Sequence, residues 1–359
     1  MTSALRPSAP RLAGLVPYDP KYLPAQTMLS ANESPFAPER ELGGLIAERV
    51  AEVNLNRYPD PLANRLRDQI AQANGLAREQ VLIGNGGDEL LFDLVLAWGG
   101  AERSVLECPP TFSAYRDYAL ITNTKVVDIA RTADFAVDEE AVCARLGQGD
   151  IDFLVVTSPN NPSGNLTAMP TIERLLSATD ALVLVDEAYC EFAGVSAVPL
   201  LARFENLVVL RTFSKAYRLA GLRVGYLLAH ANVINELLKV RQPYSVDAVS
   251  QAIASCVFEH RAAFAESIAL TVAQRGRVFG ELERMAPVTA YPSDANYILF
   301  KVEGAAQIWE ALYARGVLVR DFSRQPGLGD CLRVSIGSPE ENDRFLEALR
   351  EILTERERP

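Results

Sequence analysis

Short runs of apolar residues alternate with helical patterns through the first two thirds of the chain. Seven of these runs are bounded by turn residues, and they predict buried strands at 81–83, 104–108, 125–129, 153–157, 181–185, 207–210 and 224–228. The stretches between them repeat apolar positions at helical spacing, most clearly over 62–73, 88–97 and 171–178. Apolar strands separated by helices are typical of a mostly parallel sheet that lies between two layers of helices.

The pattern changes after Pro243. Residues 246–285 contain no proline and predict one long helix. The remainder predicts an α+β unit, with strands at 296–302, 317–320 and 331–336 and helices at 305–315 and 340–353. The first 28 residues are rich in proline and lack periodicity, which is typical of an arm. We therefore expect an N-terminal arm (1–35), a large domain (36–245), and a smaller α+β C-terminal domain (246–359) that opens with the linking helix.

Charge excludes several classes of partner. The 359-residue chain carries 35 Lys and Arg against 46 Asp and Glu, a formal charge of −11. An acidic protein without a basic block is a poor ligand for phosphate backbones or anionic lipid, so we expect no nucleic-acid and no membrane partner. No apolar run reaches the length of a membrane span and the N-terminus lacks the apolar core of a signal peptide, so we expect a cytoplasmic protein.

Cysteine and histidine give no sign of a metal site. The five cysteines are scattered and form no CxxC pair, so we expect small buried thiols in a reducing compartment. His230 and His260, the two histidines, adjoin no candidate nucleophile or ligand, and we expect them on the surface or at helix ends. The chemistry of the chain must therefore use another acid–base group.

Open α/β sheets bind ligands beyond the carboxyl ends of their strands, so the residues that follow each apolar run are the candidates. The segment 84–89 runs through glycines into a helix that begins with acids. It is either an anion site at a helix N-terminus or a plain turn capped by Asp88. The segment 158–164 is either a tight turn or a pair of amides, Asn160 and Asn161, that face a ligand oxygen.

Two further strand ends carry ionisable groups. Asp186 directly follows a buried strand, so it is either a cap for the next turn or the permanent partner of a cationic ligand. Lys215 follows the next strand, and partial burial there would let it lose its proton and form an imine with an aldehyde. Arg223 lies eight residues further on, between glycines, and is suited to a phosphate.

Taken together, these strand ends supply the groups that pyridoxal phosphate requires. They offer a lysine for a Schiff base, a carboxylate for the pyridinium nitrogen, donors for the ring oxygen and a cup for the phosphate. Each signal is weak by itself, but the ordered set is specific.

From residue 17 onward the chain resembles the fold-type I pyridoxal-phosphate aminotransferases. The motifs that carry the resemblance are TSPNNPSG (157–164), VDEAYCEF (185–192), RTFSKAYRLAGLRVGY (211–226), GNGGDELL (84–91) and CPPTFSAY (108–115). PYDP (17–20), ANESPF (31–36), NRYPDP (56–61), NYIL (296–299) and GVLVRDFSRQPGLGDCLRVSIG (316–337) are similar to the branch that acts on histidinol phosphate. The resemblance implies a large domain with a seven-stranded, mostly parallel sheet and a smaller α+β domain.

The resemblance also implies the cofactor residues. Lys215 would hold the cofactor and move the substrate proton, and Asp186 would pair with the pyridinium nitrogen. Tyr189 and Asn161 would bind the ring oxygen, and Phe112 would stack on the ring in place of a more usual tyrosine. The phosphate would be held by the backbone of Gly87 and Asp88, by Ser214 and Arg223, and by Tyr58 of the neighbouring subunit in a homodimer.

Substrate contacts would come from Arg320 and Arg333, with Tyr18 from the arm and Asn32 near the substrate amine. A guanidinium binds a carboxylate or a phosphate equally well, so one pocket would serve glutamate and histidinol phosphate in the two half-reactions. The implied reaction converts histidinol phosphate and 2-oxoglutarate to imidazole acetol phosphate and glutamate, in histidine biosynthesis.

Two alternatives stay open at this stage. The first is an aromatic amino-acid aminotransferase or a threonine-phosphate decarboxylase on the same scaffold; the charge of Arg320 and Arg333 favours a phosphate-bearing substrate. The second is a non-catalytic ligand-sensing module, which should carry a DNA-binding segment that this acidic chain lacks.

Overall fold

A computed structural model describes residues 6, 8–12, 15, 23–37 and 39–357. Within them the strands are β1 (Thr27–Leu29), β2 (Val81–Gly84), β3 (Ser104–Glu107), β4 (Lys125–Asp128), β5 (Phe153–Thr157), β6 (Leu182–Asp186), β7 (Leu207–Thr212), β8 (Gly225–Ala229), β9 (Thr289–Ala290), β10 (Tyr297–Lys301), β11 (Val317–Asp321) and β12 (Cys331–Ser335). All seven apolar runs singled out in the first part of the sequence are strands, β2 to β8.

The helices follow the predicted periodicities closely. They are α1 (Arg40–Ala51), α2 (Asn64–Asn74), α3 (Gly86–Trp98), α4 (Ala114–Ile121), α5 (Glu139–Leu146), α6 (Met169–Ser177), α7 (Cys190–Ala193), α8 (Ala231–Leu237), α9 (Ala248–Glu259), α10 (Ala265–Glu283), α11 (Ala305–Ala314) and α12 (Pro339–Glu357). None of the helices in the described ranges is long and apolar enough to cross a bilayer.

The larger sheet has seven strands in the order β2-β8-β7-β6-β5-β3-β4. Strands β3 to β7 pair in parallel, and β8 runs antiparallel to both of its neighbours. Side chains alternate between two apolar cores, with Val183 and Val185 in one and Leu182 and Leu184 in the other. The sheet is thus buried on both faces, and the predicted α/β class with a mostly parallel seven-stranded sheet is confirmed.

A second sheet of five strands has the order β1-β11-β12-β10-β9. It packs its own apolar core against α10, α11 and α12, with Phe300 and Phe345 among the fully buried side chains. The arm contributes to this sheet, because β1 pairs in parallel with β11, with Thr27 opposite Val317 and Leu29 opposite Val319. Residues 27–29 are therefore part of the smaller unit's sheet, although the sequence placed them in the arm.

The single long helix expected over 246–285 is wrong. Helix α9 ends at Glu259, and the Nδ1 of its C-cap residue His260 lies 2.9 Å from the carbonyl oxygen of Cys256. A 3-10 turn over Arg261–Phe264 then precedes α10. Phe264 in this turn is buried against Tyr217. The buried side chains of α9 lie in the core of the large sheet, whereas Val278 and Leu282 of α10 lie in the core of the small one. The domain boundaries themselves stay predictions.

Histidines and cysteines lie where the sequence placed them. The imidazole of His230 caps the start of α8 by accepting from the backbone N–H of Asn232, and His260 is the C-cap residue of α9. All five cysteines are free thiols; Cys143 is partly buried and the other four are buried.

Candidate active site

The site lies at the edge of the large sheet where the carboxyl ends of its parallel strands meet. Thr157 at the end of β5 pairs with Asp186 at the end of β6, and Asp186 pairs with Leu210 of β7. The segments that follow β2, β5, β6 and β7 are the four that the sequence singled out. Strands β5, β6 and β7 pair in parallel, and β2 runs in the same direction because β8 is antiparallel to both β2 and β7, so the polar side chains of all four segments lie at one edge.

Asp186 is a buried carboxylate with fixed hydrogen bonds. It is 5% exposed, and its Oδ2 accepts from the hydroxyl of Tyr115 at 2.7 Å while its Oδ1 accepts from the N–H of Ala188 at 3.0 Å. Burial raises the pKa of Asp186 to about 6, and these two hydrogen bonds oppose that rise. The group is therefore mostly ionised at neutral pH and suited to a cationic partner.

Lys215 follows β7 and faces the arm and the ring of Tyr189. Its Nζ donates to the carbonyl oxygen of Ala31 at 3.0 Å and lies 5.8 Å from the centre of the Tyr189 ring. Burial, followed by the positive charges of Arg333 and Arg223, lowers the pKa of Lys215 to about 8. An amine with so low a pKa is partly neutral near pH 7, as a nucleophile or proton acceptor requires.

A cluster of polar groups lies at the N-terminus of α3, which begins with Gly86 and Gly87. The Arg223 guanidinium lies across it: Nη2 donates to Oδ2 of Asp88 at 2.8 Å, and Nη1 lies 3.5 Å from Oγ of Ser214. Gly86 has φ +82°, and a Cβ there would come within 2.5 Å of the Arg223 guanidinium. Glycine is thus needed for the close approach, and the helix N-terminus, the hydroxyl and the guanidinium together suit an anion.

Two arginines lie on neighbouring strands of the small sheet, and one of them, Arg333, reaches this edge. Arg333 in β12 is 5% exposed; its Nη1 donates to Oδ1 of Asn161 and its Nη2 to the carbonyl of Ser30 at 2.8 Å. Its guanidinium lies 5.0 Å from the ring centre of Tyr297. Arg320 in β11 is directly opposite Arg333 in the antiparallel register, so both side chains lie on the same face of the sheet.

Of the remaining predicted residues, Phe112 and Asn32 lie at the site and Tyr58 lies on the outer surface of the chain. Phe112 packs edge-on against Tyr115 with ring centres 5.6 Å apart, which brings it near Asp186. Tyr58 stacks on Tyr244 at 4.8 Å and is 83% exposed, so it is presented to the outside of the chain. Asn32 is buried, with Nδ2 3.0 Å from the Tyr189 hydroxyl. Tyr18 lies outside the described residues.

Sequence reasoning missed the residues that support this cluster. Tyr115 donates to Asp186, and its hydroxyl lies 2.9 Å from that of Thr157. Ser335 donates to Oδ1 of Asn32. Tyr115 belongs to the 108–115 motif, and its position three residues after Phe112 was the available signal. Its role follows only from the packing of α4 against the sheet.

The residues at this edge fit pyridoxal phosphate. A buried carboxylate, a lysine of lowered pKa and a glycine-lined helix N-terminus with serine and arginine are each present, and they converge on one edge. The carboxylate suits the pyridine nitrogen of that molecule, the lysine suits its aldehyde, and the helix N-terminus with serine and arginine suits its phosphate.

Comparison with known proteins agrees with this fit. Residues 24–349 match the family model of aminotransferase class I and II. The chain is 39% identical over 342 residues to histidinol-phosphate aminotransferase 1 of Carboxydothermus hydrogenoformans, covering 95% of this chain and 97% of that protein. It is 37% identical over 372 residues to histidinol-phosphate aminotransferase of Roseiflexus castenholzii, covering 98% and 99%.

Solved structures show the same fold. The crystal structure of histidinol-phosphate aminotransferase from Sinorhizobium meliloti in complex with pyridoxal-5'-phosphate has a TM-score of 0.88 at 24% identity, covering 99% of this chain and 100% of that one. L-threonine-O-3-phosphate decarboxylase from Porphyromonas gingivalis has a TM-score of 0.81, also at 24% identity, covering 91% and 99%. The family expected from the motifs is thus confirmed: the chain belongs to the class I and II aminotransferases.

Proposed function

We propose that this protein is a pyridoxal-phosphate-dependent aminotransferase that transfers the amino group of L-histidinol phosphate to 2-oxoglutarate in histidine biosynthesis. The products are imidazole acetol phosphate and L-glutamate. The observation that carries the substrate assignment is the pair of arginines, Arg320 and Arg333, directly opposite each other on the small sheet, with Arg333 close enough to Lys215 to lower its pKa. The two curated relatives described above, alike along almost their whole length, act on the same substrate by name.

Each cofactor group has a partner in this chain. Asp186 would pair with the pyridine nitrogen and keep it protonated, because a buried carboxylate is stabilised by an adjacent cation. Ser214, Arg223 and the backbone of Gly87 and Asp88 would hold the phosphate at the start of α3. Tyr189 and Asn161 would bind the ring oxygen, and Phe112 would stack on the ring. When bound, the cofactor supplies an electron-accepting ring that stabilises negative charge on the substrate α-carbon.

Lys215 is the acid–base group of this proposal. Its lowered pKa leaves a neutral amine available to bind the cofactor aldehyde and, once displaced by substrate, to accept the proton from the α-carbon. Arg333 and Arg223 contribute to the lowered pKa, so the cations proposed to bind substrate and phosphate also tune the base.

The same cation pair would bind both substrates in turn. Arg333 is fixed by Asn161 and Ser30 and stacks over Tyr297, which orients its guanidinium before a substrate arrives. A fixed guanidinium binds the distal phosphate of histidinol phosphate or the distal carboxylate of glutamate through paired hydrogen bonds. Tyr18 and Asn32 complete the proposed substrate contacts.

The proposal includes a cytoplasmic homodimer. Tyr58 and Leu55 are 83% and 80% exposed, Tyr58 stacks on the exposed Tyr244, and a contiguous apolar patch of this kind is typical of a protein–protein interface. The exposed Tyr58 would then reach the cofactor phosphate of the neighbouring subunit.

A direct assay tests the substrate. Purified protein supplied with pyridoxal phosphate and 2-oxoglutarate should form glutamate with L-histidinol phosphate at a far higher kcat/KM than with L-phenylalanine. Threonine phosphate should release no carbon dioxide. Preference for phenylalanine, or decarboxylation of threonine phosphate, would overturn the proposed substrate but leave the membership in the aminotransferase family unchanged.

A further inference from the structure

Three consecutive residues of the arm, 30–32, each contact a different residue of the site. The carbonyl oxygen of Ser30 accepts a hydrogen bond from Arg333 at 2.8 Å. The carbonyl oxygen of Ala31 accepts one from Lys215 at 3.0 Å. The third, Asn32, donates from Nδ2 to the hydroxyl of Tyr189 at 3.0 Å. The first two contacts use backbone, so only Asn32 acts through its side chain.

Asn32 is held rigidly by the small sheet. It is 1% exposed and has φ +55°, a left-handed conformation that asparagine tolerates better than most residues. Its N–H donates to Oγ of Ser335 at 2.8 Å, its Oδ1 accepts from the same hydroxyl at 3.1 Å, and its carbonyl accepts from Nδ2 of Asn296 at 3.0 Å. So many bonds to one buried residue fix the direction in which its amide points.

This fixed direction decides the role of Tyr189 in the contact. The Ser335 hydroxyl accepts from the Asn32 backbone and gives its single hydrogen to Oδ1, which leaves Nδ2 facing the phenol. An amide N–H can only donate, so the phenol oxygen is the acceptor. The hydrogen of the Tyr189 hydroxyl is therefore not used in this bond.

We propose that Asn32 is a positioning residue that keeps Tyr189 oriented as a hydrogen-bond donor toward the ring oxygen of the cofactor. The inference rests on the proposed cofactor site. An oxygen that accepts a hydrogen bond becomes a better donor through its own hydrogen, because successive hydrogen bonds polarise one another. A donor to the ring oxygen stabilises its ionised form and lowers the pKa of the coloured Lys215–cofactor group. Asn32 thus tunes that pKa without touching the cofactor.

The test uses the visible absorption of the cofactor-loaded protein, titrated with pH in wild type, Asn32→Gly, Tyr189→Phe and the double variant. Glycine removes the amide and tolerates φ +55°, so the backbone is preserved. Asn32→Gly should raise the midpoint of the spectral change by a few tenths of a pH unit, a fraction of the value of one hydrogen bond, because the phenol's bond to the ring oxygen is weakened and not removed. Tyr189→Phe should raise it at least as far, and the double variant should match Tyr189→Phe alone.

Two further variants test whether the direction of the hydrogen bond between residue 32 and the Tyr189 hydroxyl matters, and not only the presence of a polar side chain there. In Asn32→Asp an acceptor replaces the donor, so the phenol turns its hydrogen toward the carboxylate and the midpoint should rise at least as much as in Asn32→Gly. The part of this rise due to the new charge is read in the Tyr189→Phe background. Asn123→Gly is the matched control, because Asn123 is an asparagine with φ +60° in the turn before β4, away from the site. It should leave the midpoint unchanged.

An unchanged midpoint in both Asn32 variants would overturn the proposal. So would a full shift from Asn32→Gly that persists when Tyr189 is already phenylalanine, since the effect would then not pass through the phenol. Failure of the wild-type protein to develop a visible band with pyridoxal phosphate would instead overturn the proposed function.

Discussion

The hydroxyl of Tyr115 lies 2.7 Å from Oδ2 of Asp186, although the two residues are 71 positions apart in the chain. This bond favours the ionised carboxylate and so partly offsets the effect of burial, which raises the pKa of Asp186 to about 6. Tyr115→Phe should raise that pKa further, by about half to one unit. Pyridoxamine phosphate cannot form an imine with Lys215, so its binding reports on the other contacts. As the pH is lowered, its affinity for the variant should begin to fall at a pH about half to one unit higher than its affinity for the wild type.

Tyr313→Phe is the control for this change. Tyr313 lies on α11 of the smaller unit and stacks on Trp309, so losing its hydroxyl should leave the acid limb of binding in place. Equal acid limbs for wild type and Tyr115→Phe would contradict the role given to Tyr115.

The lowered pKa of Lys215 predicts how the cofactor-free protein reacts with aldehydes. The neutral amine attacks, so the rate of cofactor capture, trapped by borohydride reduction, should rise with pH and level off above a midpoint near 8. Arg333→Gln removes a nearby positive charge and should move that midpoint upward. A midpoint near the ordinary lysine value in the wild type would contradict the assigned environment.

Lys215→Ala should lower turnover by about 10² to 10⁴-fold, the usual contribution of a positioned acid–base group. Noncovalent cofactor binding should survive, because the polar cluster at the N-terminus of α3 and Asp186 remain. Lys239→Ala, in the exposed turn that follows α8, is the control and should keep full activity. Turnover by Lys215→Ala within about tenfold of the wild type would remove Lys215 from the mechanism.

Arg333→Ala should raise KM for histidinol phosphate and for glutamate together, because one guanidinium is proposed to bind both. Thermal unfolding of the variant must be measured alongside, since Asn161 and Ser30 lose a partner. Loss of one substrate with the other unaffected would show that the two do not share a pocket.

Subunit mixing tests whether Tyr58 acts across a dimer. Lys215→Ala and Tyr58→Ala proteins are each impaired, but a hybrid would hold one site with an intact lysine and an intact tyrosine from the other subunit. Unfolding and refolding the two variants together should therefore recover activity above the sum of the separate samples. No recovery in a verified hybrid would place Tyr58 in its own subunit's site, or in none.

The sequence predicts the large sheet well because its strands are buried on both faces. A run such as 181–185 has no polar position, so its identity as a strand depends on local composition and not on the rest of the fold. The polar residues that end these runs fall at one edge by the geometry of parallel pairing. Lys215, Asp186 and Arg223 could therefore be selected from the amino-acid sequence alone.

Contacts between distant segments could not be predicted in the same way. Strand β1 is three residues long, and its partner β11 lies about 290 positions later, so neither periodicity nor turn signals mark the pairing. The same holds for Ala31 against Lys215 and for Asn32 against Tyr189, which depend on how the small sheet packs on the large one. The break after Glu259 was missed because the surrounding composition is helical throughout, and the contact of the His260 imidazole with the Cys256 carbonyl leaves no mark in the pattern of apolar residues.

Visible absorbance of the protein loaded with pyridoxal phosphate tests the central claim most directly. The account predicts a band that L-histidinol phosphate bleaches at much lower concentration than L-phenylalanine, because Arg320 and Arg333 favour a charged distal group. Bleaching mainly by phenylalanine would contradict the substrate assignment. The absence of any band after pyridoxal phosphate is added would contradict the site itself.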